Sequence, residues 1–436
     1  MRNTNKKGFT IVELVIVVAV IAILAAVLIP TFSSIIKKAN ESADIQAVRQ
    51  MNVALAVDGA VTPTTQGSLF AVLAEAGMSA EDYKPLYEGR YFYWDKELNQ
   101  VLYVDAENNV LFPENVTPSN KWYSLSGEIN TSGAVINVEN IDLTAATISL
   151  NISNAADFVK AAEFISEKAS NLGNKTVEIV LSADINLMGA DVNFTQHATQ
   201  STDVVFKSKD GTQKTISGLY ISDAHSTNGH DGDGNASNTY GHSLFNYIGN
   251  LTVENVAIAD STIGGTEASQ SGFFAGQVMG DAKFTNVDVT DCDIYGLNKV
   301  GVLFGYGHGE VILNDVHISN CNVYAKDGEA GAVFGVVEVS KVATTENVAT
   351  ITNSSVTGCK VEIVAGSDVK TGSLDGASYK VVQNGESEWR VATAGIGFIA
   401  QTIQDPEIEL DNVNGKGRLY DYINTLDELA AVKGSK

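Results

Sequence analysis

The chain has 436 residues, more than one domain usually holds, so two or three folded units are expected. With 28 basic against 52 acidic residues its formal net charge is -24, which argues against nucleic acid and anionic lipid headgroups as partners, since both demand basic surface. Six prolines and 39 glycines, among many Asn, Thr, Val and Ser, describe a strand-and-turn protein exported to a surface.

The first element departs from that composition. A basic leader (Arg2, Lys6, Lys7) reaches Gly8 and Phe9, and from Phe9 to Ile29 the only charge is Glu13. At about 1.5 Å rise per residue, a helix of that length spans roughly the 30 Å hydrocarbon core of a bilayer. The basic leader keeps the N-terminus cytoplasmic. A secretory signal would carry its small-residue cleavage site after the apolar run. Gly8 stands before it, so a cut there leaves the helix on the mature chain.

Gly8-Phe9-Thr10-Ile11-Val12-Glu13 resembles the class III signal of type IV pilins and pseudopilins. The resemblance covers about the first 60 residues closely. It implies cleavage after Gly8 by a prepilin peptidase, N-methylation of Phe9 by the same enzyme, and a role for Glu13 in assembly. Pro30 matches the helix-kinking proline common in type IV pilins. The implied partners are the prepilin peptidase/N-methyltransferase, the membrane, and other pilin subunits met through the N-terminal helix. The implied location is a single-pass membrane precursor, then a filament at the cell surface. The bland reading of Glu13 is an accidental carboxylate in a plain anchor. A lone acid in a membrane segment costs about 2.5 to 3.5 kcal/mol, so such residues are usually paired. Its partner would be the Phe9 amine that cleavage exposes on a neighbouring subunit.

Thr31 to about Val57 continues the helix into water, with Ile45, Val48, Met51 and Leu55 as one apolar stripe. Gly59 and Pro63 end it. Ser68 is read as the N-cap of a second helix through Ala76, closed by Gly77. Arg90 to Trp94, Gln100 to Asp105 and Val110 to Phe112 are strand runs separated by turn residues, expected to lie as a meander on the long helix like a reduced pilin headgroup. Tyr91, Tyr93 and Trp94 are read as core packing in preference to a sugar platform. Residues 114–153 read as a linker. Asn154 opens a helix to about Ser170, with Asp157 as capping acid, an expected end cap for a run of strands.

The remainder repeats. Leu251 to Ile258 aligns with Ala282 to Val289, Val311 to Ile318 and, more weakly, Ala349 to Val356. A second motif, Leu244-Phe245, Phe273-Phe274, Leu303-Phe304 and Val333-Phe334, has its second aromatics 29, 30 and 30 residues apart. A period near 30 with short strands and little helix is the signature of a parallel β-helix, whose stacked coils bury one continuous face. A right-handed coil is the default for parallel crossovers. Ile258, Val289, Ile318 and Val356 are expected in one inward stack, and Phe245, Phe274, Phe304 and Phe334 in another. Asn255, Asn286, Asp315 and Asn353 belong at bends. The Gly-rich phenylalanine motif resembles repeats of bacterial surface adhesins.

Cys292, Cys321 and Cys359 share one repeat position, with Ser261 before them. They are read as a buried, reduced ladder of small apolar filler, in preference to a disulfide plus a free thiol. Asp223, Asp260 and Asp291 form an acidic column that Asn320 and Gly358 continue. It is read as turn-capping, because no Arg or Lys accompanies it to stabilise a developing anion. In the loop from His225 to His242, Asp231, Asp233 and Asn235 have the alternate spacing of a calcium loop, and His225, His230 and His242 suggest zinc. Ala236 and His242 occupy the places of the required Gly and Glu, so a polar insertion is preferred to either metal. Leu419 to Val432 reads as an amphipathic helix over the last coil.

The expected fold class is an α+β pilin-like N-terminal part, a long transmembrane and amphipathic helix plus a small antiparallel sheet, followed by an all-β right-handed parallel β-helix. The expected division is leader 1–8, helix 9–57 with its transmembrane part 9–30, headgroup 58–113, linker 114–153, β-helix 154–418 with its capping helix, and C-terminal helix 419–436. The first function expected is a minor or tip filament subunit displaying the β-helix to a glycan or other surface ligand, without catalysis and without a cofactor. The alternatives are a pseudopilin of a secretion or DNA-uptake machine, and a membrane-tethered glycan-active enzyme.

Overall fold

The computed structural model describes residues 11–57, 62–63, 66–106, 108–119, 122–129, 131, 133–194, 202–222, 227–229, 238–264, 270–326, 329–338, 347–363 and the short strands 368–371, 379–382, 390–391, 395–396, 400–404 and 419–423. The chain divides into two units, Met1–Asn120 and Lys121–Lys436.

Unit 1 is built on helix α1 (Ile11–Leu55). Its last turns bury Val48 and Met51 completely and Leu55 almost so, as the three-and-four spacing predicts. Ala54 and Asp44 are buried too, however, and Ile45 is only half-buried. The cause is polar: Asp44 accepts from Leu86 N at 2.7 Å, Tyr87 N at 3.0 Å and Tyr103 Oη at 3.1 Å, and a buried carboxylate needs such donors. Helix α2 (Gln66–Glu75) starts two residues before the expected Ser68 cap, which lies inside it. Its end matches the expectation: Gly77 takes φ +84° while Met78 N reaches Leu73 O at 3.0 Å.

Strands β1 (Arg90–Asp95), β2 (Gln100–Asp105) and β3 (Val110–Phe112) form the expected antiparallel meander, with Phe92 opposite Tyr103 and Trp94 opposite Val101. Asn99 and Asn108 supply the left-handed turn residues at φ 49° and 62°. The sheet is fixed to α1 by Asn52, whose side chain donates to Val101 O at 2.9 Å and accepts from Val101 N at 2.6 Å. Burial first, then Asp44, pushes the Tyr103 phenol up, which keeps it a neutral donor. Phe92, Tyr93 and Trp94 are core residues.

Unit 2 is a parallel solenoid. Its first strand is Thr147–Ile152, so the end of the expected linker is part of the fold: the run pairs in parallel with Thr176–Leu181, which pairs with Asp203–Ser208. Its Gly-free alternation carries the reason, since Ile148, Leu150 and Ile152 are buried while Thr147, Ser149 and Asn151 face out. The expected helix comes after this strand as α3 (Ala155–Lys168), with Asn154 accepting from Asp157 N at 2.8 Å. Phe158, Ala161, Ala162 and Ile165 join the solenoid core.

From Leu251 on, each coil contributes a long strand. Leu251–Ala259, Ala282–Thr290 and Val311–Ser319 pair in register, so that Ile258, Val289, Ile318 and Val356 form the expected column, each at most 1% exposed. Asn255, Asn286, Asp315 and Asn353 all take positive φ, 49° to 60°, and Asn286 Nδ2 donates to Asn255 Oδ1 at 2.7 Å. They are the bends that the repeat implies.

The phenylalanine column needs one correction. Phe245 pairs with Ala275, Ala275 with Phe304, and Phe304 with Phe334. Phe274 thus stands one residue ahead of the column. Its ring packs instead against Phe206 and Phe284, at centroid distances of 5.5 and 5.7 Å. Close backbone contacts explain the glycines of the motif Gly-x-x-Phe-Gly at 301–305 and 331–335, which 272–276 follows with Ala275 in the Phe place. A Cβ on Gly272 or Gly301 would sit 2.4 or 2.3 Å from Phe304 Cα or Phe334 Cα, and one on Gly305 would sit 2.5 Å from Lys299 O. Backbone of the same coil or a neighbouring one stands at each of these positions, leaving no room for a side chain.

At the other end, Leu419–Ile423 is a strand antiparallel to Ala400–Gln404 and not the start of a helix. The run Leu-Tyr-Asp-Tyr-Ile is rich in strand formers, and these override the helical spacing of leucines further on. Residues 424–436 lie outside the described residues.

Candidate functional site

Two places carry the chemistry. The first is the leading part of α1. Gly8 and Phe9 lie outside the described residues. Glu13 and Pro30 fall within α1, which continues on both sides of Pro30 although proline removes the amide bond to the carbonyl of Ala26. Leu14, Val15, Ile16, Val18, Ile21, Ile29, Phe32, Ile35 and Ile36 are all more than half exposed. An apolar helical surface of this extent on every side is an unsatisfied interface. From Asp44 onward the same helix buries one face in unit 1. Among the described residues no helix is long and apolar enough to cross a membrane, so the membrane reading of 9–30 rests on sequence.

The second place is a cleft of about 430 Å³ beside α3. Gly127, at φ +72°, turns the chain so that its carbonyl accepts from Asp191 N at 3.0 Å. Ile129, Val159, Ala162 and Val192 supply apolar wall, while Glu128, Glu163, Asp191 and Asn193 supply polar groups. Asp191 is committed to Ser222, accepting from its N at 2.9 Å and its Oγ at 2.5 Å. Glu163 pairs with Lys160 at 2.7 Å and stays half exposed. Asn193 is 5% exposed, and its Nδ2, itself out of reach of solvent, has no hydrogen-bond partner among the described residues. Sequence reasoning misses this cleft. Its walls come from three separated segments, and no motif links them.

The remaining sequence candidates are not gathered into a site. Asp231, Asp233 and Asn235 lie outside the described residues, as do His225 and His230. His242 is fully buried in a bridge to Ser271. Among the described residues no group of three or more His, Cys, Asp or Glu could hold a metal ion. Asp260, Asp291, Asn320 and Gly358 form a column at φ 46° to 63°, with Asn320 Nδ2 donating to Asp291 Oδ1 at 3.2 Å. Gly218 takes the place before Asp260, its N bonded to Ala259 O at 3.3 Å; Asp223 lies outside the described residues. These are turn positions.

Cys292, Cys321 and Cys359 are free and buried. Each Sγ lies near the carbonyl two residues back, at 3.0, 3.3 and 3.4 Å, and Cys321 N donates to Cys359 Sγ at 3.4 Å. The Cys292 sulfur and burial push the Cys321 thiol up, and the Cys321 sulfur and burial do the same for Cys359.

Residues 3–29 match the family model of the prokaryotic N-terminal methylation motif. The chain therefore carries a prepilin-type N-terminus. It is 60% identical over 38 residues to the type IV wide pilus major component PilA4 of Thermus thermophilus, a match that covers 9% of this chain and 29% of that protein. The chain thus spans under a third of the length of this curated relative. A solved structure of a candidate immunoglobulin A1 protease from Bacteroides ovatus aligns at TM-score 0.26 and 14% identity, over 52% of this chain and 80% of that one.

Proposed function

We propose that this protein is a minor or tip subunit of a type IV pilus-like filament, holding its solenoid at the cell surface for adhesion. The observation that carries the reading is the set of exposed apolar residues on α1, among them Leu14, Val18, Ile21, Ile29, Phe32 and Ile36, joined to the methylation motif over residues 3–29. Prepilin peptidase cuts after Gly8 and methylates Phe9. The segment 9–30 holds the precursor in the membrane, and Glu13 meets the Phe9 amine of a neighbouring subunit during assembly. Neutralising both charges together removes the cost of a lone buried acid. Unit 2 is more than twice as long as unit 1, which disfavours dense packing as the main filament component. The solenoid binds and does not catalyse, and it needs no cofactor.

Immunogold labelling along purified filaments tests this reading, together with mass spectrometry of the mature N-terminus. Sparse or terminal labelling and an N-methylated Phe9 are expected. Surface protein that still starts at Met1 would overturn it. Turnover of an oligosaccharide by the purified chain would overturn the non-catalytic part.

A further inference from the structure

We infer that one uncharged flank of α1, running from Ile29 to Val57 and ending in an apolar groove, receives the N-terminal helix of a neighbouring filament subunit. The inference rests on the subunit role proposed above and adds a docking surface beyond the expected membrane segment. Ile29, Phe32 and Ile36 are more than half exposed and follow one another at steps of three and four. Ala39, Ala43 and Ala47 continue those steps, the first two exposed and the third half-buried. Gln50, Ala54 and Val57 complete the line, with Val57 again more than half exposed. At about 100° per residue all of these positions share one flank. The charged residues of the stretch, Lys37, Lys38, Glu41, Asp44 and Arg49, fall outside it. The face that unit 1 covers is a different one, marked by the buried Asp44, Val48, Met51 and Leu55.

The flank ends in a groove of about 490 Å³, where Ala54 and Val57 face Ala76, Gly77 and Met78. Two charged groups stand at its rim. Asp82 accepts from Ser79 N at 2.8 Å and Ser79 Oγ at 3.0 Å, and Arg49 lies over the Phe112 ring at 5.1 Å. Their signs are opposite, so the groove favours neither a cationic nor an anionic partner. Lipid does not reach it, because Ala47 to Val57 lie roughly 25–40 Å along the helix past Pro30, where the membrane segment is expected to end. The occupant is therefore apolar protein, and it is long, since Ile29 to Val57 measures about 42 Å of helix. A run such as Phe9–Ile29, whose only charge is Glu13, fits that description, and a neighbour built on the same motif brings one. Alanines four apart allow the two backbones to approach closely, and the groove takes a side chain from the neighbour. Centring Phe9–Ile29 on the flank offsets the two helices by about 24 residues, or roughly 36 Å.

The test uses the full chain in cells that assemble the filaments. Ala43→Arg and Val57→Asp put a charge on the flank at exposed positions, and Ser42→Arg puts one at an exposed position off it. All three variants should be cleaved after Gly8 and melt as the unmodified chain does. The two flank variants should enter filaments at least about tenfold less than that chain, and Ser42→Arg at its level. A benzoylphenylalanine cross-linker at Val57 should join, on illumination, to the 9–29 segment of a second filament subunit. Undiminished entry of both flank variants would overturn the inference, as would an equal loss in Ser42→Arg. So would a cross-link to lipid, or none at all in filaments that contain the chain. Any of these results, with the unmodified chain present in filaments, defeats the flank and leaves the subunit reading intact. Absence of the unmodified chain from filaments defeats both.

Discussion

At Asp157 four donors converge on one carboxylate. Val135 N and Ile136 N reach Oδ1 at 2.6 and 2.8 Å, and Ser153 N and Oγ reach Oδ2 at 2.9 and 2.5 Å. Burial alone would raise its pKa, but the Ser153, Ile136 and Val135 donors outweigh burial and hold the carboxyl below its ordinary value. Asp157→Asn, which replaces an acceptor by a donor facing donors, is expected to cost about 3 kcal/mol in urea unfolding. The native pKa lies below the unfolded value near about 3.9. The stabilisation is therefore complete above that pH and fades as pH falls through the native pKa. The acid limb of the stability curve should be shallower in the variant, and an identical limb would remove Asp157 from this role. Sequence spacing identifies Asp157 as a capping acid but not its hold on Val135 and Ile136, because a loop some twenty residues upstream has no periodic signal to place it. Gly301 is a second residue-scale test. Gly301→Ala should cost about 1–3 kcal/mol through the contact with Phe334 Cα. Gly133→Ala, with nothing within 4 Å of its Cβ, should cost nothing by the same thermal melt.

Among the elements, the long strands are legible in sequence because their pattern is doubly constrained. An inward residue at every second position and an Asn or Asp at the bend both recur at the coil period, so either signal alone sets the alignment. The phenylalanine strand has only the ring and its glycines, and two adjacent aromatics at Phe273-Phe274 leave its register open by one residue. Hydrogen bonding fixes it, with Ala275 opposite Phe245 and Phe304. The first strand is lost to the linker because Thr147 to Ile152 has no repeat partner by sequence. At the end of the chain, helical leucine spacing competes with a strand-forming run and misleads. The cysteine ladder is readable because all three share the inward column just past the bend. With all three thiols buried, and those of Cys321 and Cys359 also pushed up, the native chain should resist iodoacetamide and label at all three positions only in denaturant. Rapid native labelling, or a mobility shift on reducing gels, would refute the ladder.

For the molecule as a whole, assembly and display are carried by different parts of the sequence. The exposed apolar helix ends where Asp44 and Asn52 tie α1 to its own unit, so residues before that tie are available to neighbours. Glu13→Leu is expected to leave cleavage after Gly8 intact, read by mass spectrometry, and to abolish incorporation into filaments, read by labelling of sheared material. Normal incorporation would take the carboxylate out of the assembly step.

The in-register columns of unit 2 also set how such a protein can vary. The long strands from Leu251 to Ser319 present residues of like character above and below, so duplicating or deleting one such coil, from one bend residue to the next, leaves those strand junctions similar in chemistry. Each such event would move the far end by about 4.8 Å, the spacing between paired strands, and would disturb neither α3 at one end nor the filament-facing helix. The solenoid is in that sense a ruler that recombination can lengthen or shorten one graduation at a time.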